Sequence, residues 1–60
     1  MLLKELLEED GYTFGDDRGI VVDDGCCTMA VSRRYLEGGW KDVLNKKAIR
    51  LCKGQYQTID

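Results

Sequence analysis

The chain has no histidine and no proline, one tryptophan, one phenylalanine and three cysteines among its 60 residues. Without histidine, both the commonest general base and the commonest nitrogen ligand for zinc are missing, and a cysteine nucleophile would lack its usual partner. An enzyme is therefore not expected. Cys26, Cys27 and Cys52 are odd in number, and the adjacent pair would make a strained ring if bridged to each other. Free thiols in a reducing compartment are the simpler reading, with a bridge from Cys52 to Cys26 or Cys27 as the alternative. Zinc held by cysteine typically needs a Cys-x-x-Cys pair and two further ligands, a pattern these three do not supply, so neither a metal nor a cofactor is expected. No apolar run approaches the roughly 20 residues needed to cross a bilayer. The N-terminus also lacks a basic segment followed by an apolar stretch and a small-residue cleavage site. A cytoplasmic protein without membrane contact is the expectation.

Hydrophobic residues make up 43% of the chain and charged residues 33%, the balance of a globular protein. At this length one core is the most the chain can build, so residues 1–60 are expected to form a single small domain. Such a core is thin, and small scaffolds often lean on a partner or a second copy for stability. The net charge is −2, but it is unevenly spread. Residues 1–25 carry eight acids (Glu5, Glu8, Glu9, Asp10, Asp16, Asp17, Asp23, Asp24) against Lys4 and Arg18, whereas residues 26–60 carry seven bases against Glu37, Asp42 and Asp60. Either the acidic half docks on the basic half, or the two present faces to different partners.

Leu2, Leu3, Leu6 and Leu7 fall on one side of a helical wheel and Gly11 suits a helix end, which predicts a helix over about residues 2–10. From Tyr12 to Val31 the texture is β-rich, with runs at Tyr12–Phe14, Ile20–Val22 and Cys27–Val31 separated by glycine and aspartate. Asp24-Gly25 fits a two-residue type I′ turn, which would set Val22 opposite Cys27 and Ile20 opposite Met29. In that register Ile20, Val22, Cys27, Met29 and Val31 share a face, joined by Tyr12 and Phe14 across a loop at Gly15–Gly19. Ser32 is placed to cap a short helix through Glu37. Trp40, Val43, Leu44, Ala48, Leu51 and Cys52 then recur at the spacing of one helix face and predict a C-terminal amphipathic helix. In the competing reading, Ala48–Cys52 and Gln55–Ile59 are strands joined near Lys53-Gly54, and the chain closes into a small all-β barrel. The favoured architecture is α+β: an N-terminal helix, a three-stranded antiparallel meander and a C-terminal helix packed across it, with Gln55–Asp60 as a further edge strand.

Asp16-Asp17 and Asp23-Asp24 sit at turns, where aspartate is favoured for its local hydrogen bonding. The Gly15–Gly19 loop fits neither a phosphate cradle, which avoids carboxylates, nor a calcium loop, which needs acids at alternate positions. Arg33, Arg34, Lys46, Lys47, Arg50 and Lys53, interleaved with Tyr35, Trp40 and Tyr56, have the composition of a nucleic-acid surface, although the pI near 5.0 argues against one. The expected function is a non-catalytic, protein-binding modulator, an inhibitor or adaptor of a larger protein, with nucleic-acid-handling proteins as one candidate class, of the size that phages and mobile elements encode. Asp16, Asp17, Asp23 and Asp24 would act as phosphate mimics toward a basic partner, or Arg33, Arg34 and Tyr35 would grip an acidic one. The alternatives are a nucleic-acid-binding regulator using the basic set, and a structural homo-oligomer.

Overall fold

The computed structural model describes residues 1–59. Helix α1 (Leu3–Glu9) is followed by strands β1 (Gly19–Asp23) and β2 (Thr28–Ser32), helices α2 (Arg33–Gly39) and α3 (Lys41–Leu44), and strands β3 (Ala48–Cys52) and β4 (Gln55–Thr58). The strands form one sheet in the order β2-β1-β4-β3. The outer pairs are antiparallel hairpins, and β1 runs parallel to β4 between them. The α+β class is as expected, but the sheet is four-stranded and mixed rather than a three-stranded meander.

Helix α1 buries Leu3, Leu6 and Leu7, the stripe that the leucine spacing predicts. Its N-terminus is half capped: Leu2 offers no side-chain acceptor, but Glu5 Oε1 accepts the Leu2 N–H at 2.8 Å. Its C-terminus is a Schellman motif. Gly11 N–H donates to Glu8 C=O at 3.1 Å and Tyr12 N–H to Leu7 C=O at 2.8 Å, with Gly11 at φ 91°. The motif packs Tyr12 against the core as the residue that follows the helix, so Tyr12–Phe14 does not form the first strand of a meander. The chain turns at once, Asp16 N–H donating to Thr13 C=O, and Phe14 is left 84% exposed.

The β1–β2 hairpin forms with the predicted faces and a different register. Val22 lies opposite Met29 and Ile20 opposite Val31. A type I′ turn needs positive φ at both central residues, and among the described residues only glycines adopt it, so Gly25 does and Asp24 does not. The loop lengthens to Asp24–Cys27, and the turn is held by side chains: Asp23 Oδ1 accepts from Gly25 N–H and Asp24 Oδ1 from Cys26 N–H. Because the slip is by an even number, Ile20, Val22, Met29 and Val31 keep a common face, while Cys27 leaves the strand and is exposed. Cys26 and Cys52 are likewise free and exposed.

Ser32 Oγ accepts from Tyr35 N–H at 3.1 Å and caps α2, as its position predicts. The expected long C-terminal helix stops at Leu44. Val43 and Leu44 bury as the stripe requires, but Lys47 interrupts it and Leu51 and Cys52 point to solvent. Residues 48–58 instead pair as a hairpin through Lys53-Gly54, in which β4 alternates, with Tyr56 and Thr58 inward and Gln55 and Gln57 less buried, while β3 buries only Ala48. The competing strand reading holds for these residues, yet the sheet stays open, so no barrel forms. Nor is β4 an edge strand: it lies between β1 and β3. The core gathers Leu3, Leu6, Leu7, Tyr12, Ile20, Val22, Leu36, Val43, Leu44, Ala48 and Tyr56, with Val31 and Trp40 at its rim.

Tyr56 is fully buried, and its hydroxyl donates to Asp10 Oδ2 at 2.5 Å, a carboxylate that also accepts from Arg50 Nε at 2.9 Å. Tyr56 first and Arg50 next hold the Asp10 carboxyl below its ordinary value of 3.8. A depressed carboxylate adds stability above its unfolded pKa and loses it as pH falls through the folded one. Urea unfolding measured from neutral pH downward should therefore show stability dropping below about pH 4. Asp10→Asn should be less stable at neutral pH and show a flatter acid limb.

Candidate protein-binding surface

The hydrogen bond from Val21 N–H to Gly54 C=O, 2.8 Å, fixes which way each residue of the β1–β2 hairpin points its main chain. Successive residues of a strand direct their N–H and C=O groups to opposite neighbours. With Val21 turned toward β4, Ile20 and Val22 turn toward β2, where they meet Val31 and Met29. Thr28, Ala30 and the Ser32 N–H therefore point away from the sheet. β2 is an edge strand, and among the described residues no segment pairs with its outer side.

The other edge is guarded. β3 has a register shift between Arg50 and Cys52, carries Arg50, and meets the N-terminus through Leu3 N–H to Lys46 C=O and Ala48 N–H to Met1 C=O. A bulge, a charge and a covering segment are the devices by which proteins blunt sheet edges. β2, Thr-Met-Ala-Val-Ser, has none of them: no charge, no proline and an unbroken register. Beside it runs an open groove of about 650 Å³ lined by Asp17, Gly19, Met29, Ala30, Val31, Ser32 and Tyr35. Tyr35, half exposed, forms one wall and leans on Trp40 with ring centroids 6.2 Å apart.

Charge brackets the groove. At one end Asp17 pairs with Arg34 at 3.1 Å, and Arg34 N–H donates to Asp16 C=O. The Asp16 carboxyl lies below its ordinary value because Arg18 bonds it through side chain and main chain. At the other end Asp23 and Asp24 have no ion-pair partner among the described residues. With Asp16 balanced by Arg18 and Asp17 by Arg34, the surface as a whole is acidic.

Of the acidic set, Asp17 lines the groove, Asp16 lies beside it, and Asp23 and Asp24 stand at the far end of β2. Arg34 and Tyr35 join them. Arg33 does not: it is 6% exposed, with Nε 2.7 Å from Glu37 Oε1, Nη2 3.6 Å from Glu8 Oε1 and Nη1 donating to Tyr12 C=O. Glu37 also accepts the Gly15 N–H, so the pair ties α2 to α1 and to the following loop. It is an internal strut, and the reading of Arg33 as a contact residue gives way to its burial. The basic set is scattered as well. Arg50 is held by Glu9 and Asp10, Lys46 and Lys47 flank the N-terminal pairing and Lys53 is at the β3–β4 turn, across the sheet from Arg34. Arg33, Arg34 and Arg50 of the basic half pair with Glu8, Asp17, Glu9 and Asp10 of the acidic half, so part of the charge asymmetry is matched internally.

Sequence reasoning missed the exposed Ile49 and Leu51, which it had assigned to a helix, and the edge groups of Thr28 and Ala30. Main-chain groups have no signal of their own in a sequence; only the register exposes them. Among the described residues no cluster of three or more acidic or thiol side chains is placed to hold a metal ion, and no helix is long and apolar enough to cross a membrane. No protein-family model, no curated protein and no solved structure matches the chain.

The two neighbouring arginines should separate cleanly. Arg33→Ala leaves the part-buried Glu37 carboxylate and the Tyr12 C=O without their donor and should cost about 2–3 kcal/mol in chemical denaturation, the value of hydrogen bonds to charged groups. Arg34→Ala breaks a solvent-exposed pair and should stay within about 0.5 kcal/mol of the parent.

Proposed function

We propose that the protein is a non-catalytic binding module, a modulator that acts by docking on a larger protein through the β2 edge. The observation that carries this reading is an unguarded edge strand beside a groove with an apolar floor and, at the Asp23-Asp24 end, acids unpaired among the described residues. An extended segment that adds itself to such an edge gains affinity from main-chain hydrogen bonds and specificity from alternate side chains. Here the alternate positions facing Met29, Val31 and Tyr35 suit apolar residues. Those between them suit lysine or arginine, drawn by Asp23 and Asp24. Basic strands of this kind occur on nucleic-acid-handling proteins, which makes them a fitting target class for an inhibitor or adaptor.

The opposite version, in which Arg33 and Arg34 together grip an acidic partner, is disfavoured because Arg33 is buried and leaves Arg34 as a single exposed cation. A nucleic-acid surface is disfavoured on the same ground, since phosphate binding needs uncommitted cations on one face.

Selection of displayed random decapeptides on the immobilised protein tests the reading. Enriched peptides should alternate apolar and basic residues, and Ala30→Pro, which deletes an outward-facing donor on an edge strand that tolerates proline, should abolish their binding. Enrichment that ignores the proline would reject the β2 edge as the docking site. Tight, salt-sensitive binding of short DNA or RNA in a parallel anisotropy titration would replace this reading with the nucleic-acid one.

A further inference from the structure

We infer that in the free protein the β2 edge is occupied by β2 of a second copy, paired antiparallel about a two-fold axis at Ala30. The inference rests on the β2 edge being the docking surface proposed above, and it names what covers that edge when no target is present.

The register is self-complementary. An antiparallel partner bonds through residues whose main-chain groups point outward on both strands, and here these are spaced symmetrically about Ala30, with Thr28 and Ser32 to either side. A two-fold at Ala30 lets it exchange both main-chain hydrogen bonds with Ala30 of the second copy. Ser32 N–H then donates to the second copy's Thr28 C=O at each end. A two-fold interface requires such a patch, because each contact must work in both directions. An axis at Met29 or Val31 would still match two outward residues, Thr28 with Ala30 or Ala30 with Ser32, but would set the third opposite position 26 or 34, outside the strand, so only Ala30 uses all three.

The side chains agree with the main chain. On the core side of the sheet Met29 would lie opposite Val31 of the second copy, and both are only partly buried in the single chain. Val31 already packs on the core, so pairing extends one apolar layer through both copies. On the other side the small, exposed Ala30 methyl leaves the strands free to approach. Charge matches as well: the antiparallel arrangement brings the Asp23-Asp24 tip of each copy alongside the α2 start of the other. There the Arg34 side chain is 70% exposed and held only by the equally open Asp17. Like charge is thus kept apart and unlike charge brought together at both ends.

Sedimentation equilibrium of the full chain from low micromolar to near-millimolar concentration tests the inference. The wild type should reach twice the 6.8 kDa chain mass, and Ala30→Pro should stay at the chain mass throughout. Ala30→Lys, at an exposed position, sets two ammonium groups face to face at the axis and should also give the chain mass with unchanged circular dichroism. Asp24→Lys should weaken the dimer, and Asp24→Lys with Arg34→Glu should restore it. A wild type at the chain mass at every concentration would overturn self-pairing, and so would a dimer indifferent to both Ala30 variants. The target-binding reading fails separately: it is lost if the monomeric Ala30→Lys protein and the dilute wild type both select no peptides, whatever the mass measurement gives.

Discussion

The parallel contact between β1 and β4 is the constraint on which the rest of the structure depends. Each hairpin alone is a two-stranded ribbon, marginal in water. Val21 N–H to Gly54 C=O, with Val21 beside Gln55 and Val22 beside Tyr56, joins them into a sheet wide enough to carry α1, α2 and α3 on one face. The same contact decides the phase of every neighbouring strand. Because Val21 is committed to β4, Val22 must face β2, and Thr28 and Ala30 are left to point outward. The phase of the proposed docking strand thus follows from a pairing in which, of its surrounding residues, Asp23 alone takes part, opposite Gln57.

A second layer of constraint is electrostatic. A chain with −6 in its first 25 residues and +4 in the remainder could have shown two opposed fields. Instead Arg33 pairs with Glu37 and Glu8, and Arg50 with Glu9 and Asp10, stitching α1 to α2 and to β3. What these struts leave unspent is small and local, the acids at the β1–β2 tip. That residue of charge, rather than the overall asymmetry, is what the chain presents at the end of β2.

Much of this is legible in the sequence where the signal is local. The leucines of α1, Gly11 at its end, the Ile20–Val31 hairpin and the Ser32 cap all rest on neighbours a few residues apart. What fails to read is non-local. Residues 40–52 carry a helical period good enough to compete with their strand period, and only the bond between Gly54 and Val21, 33 positions away in the chain, decides for the strand. Tyr12 reads as a strand residue because its β propensity is visible and its role as the residue closing a Schellman motif is not. Among the candidate residues, Asp17, Asp23, Asp24, Arg34 and Tyr35 do assemble around one strand. Arg33 reads like its neighbour Arg34, although burial gives the two opposite roles.

The central claim is the phase of β2, and amide hydrogen exchange of the dilute protein followed by NMR tests it most directly. Met29 and Val31, bonded to β1, should be protected, while the intervening Ala30 and the preceding Thr28 exchange at nearly unstructured rates. Protection of Thr28 and Ala30 at dilution, with fast exchange at Met29 and Val31, would mean that the strand presents its other side and would contradict the account.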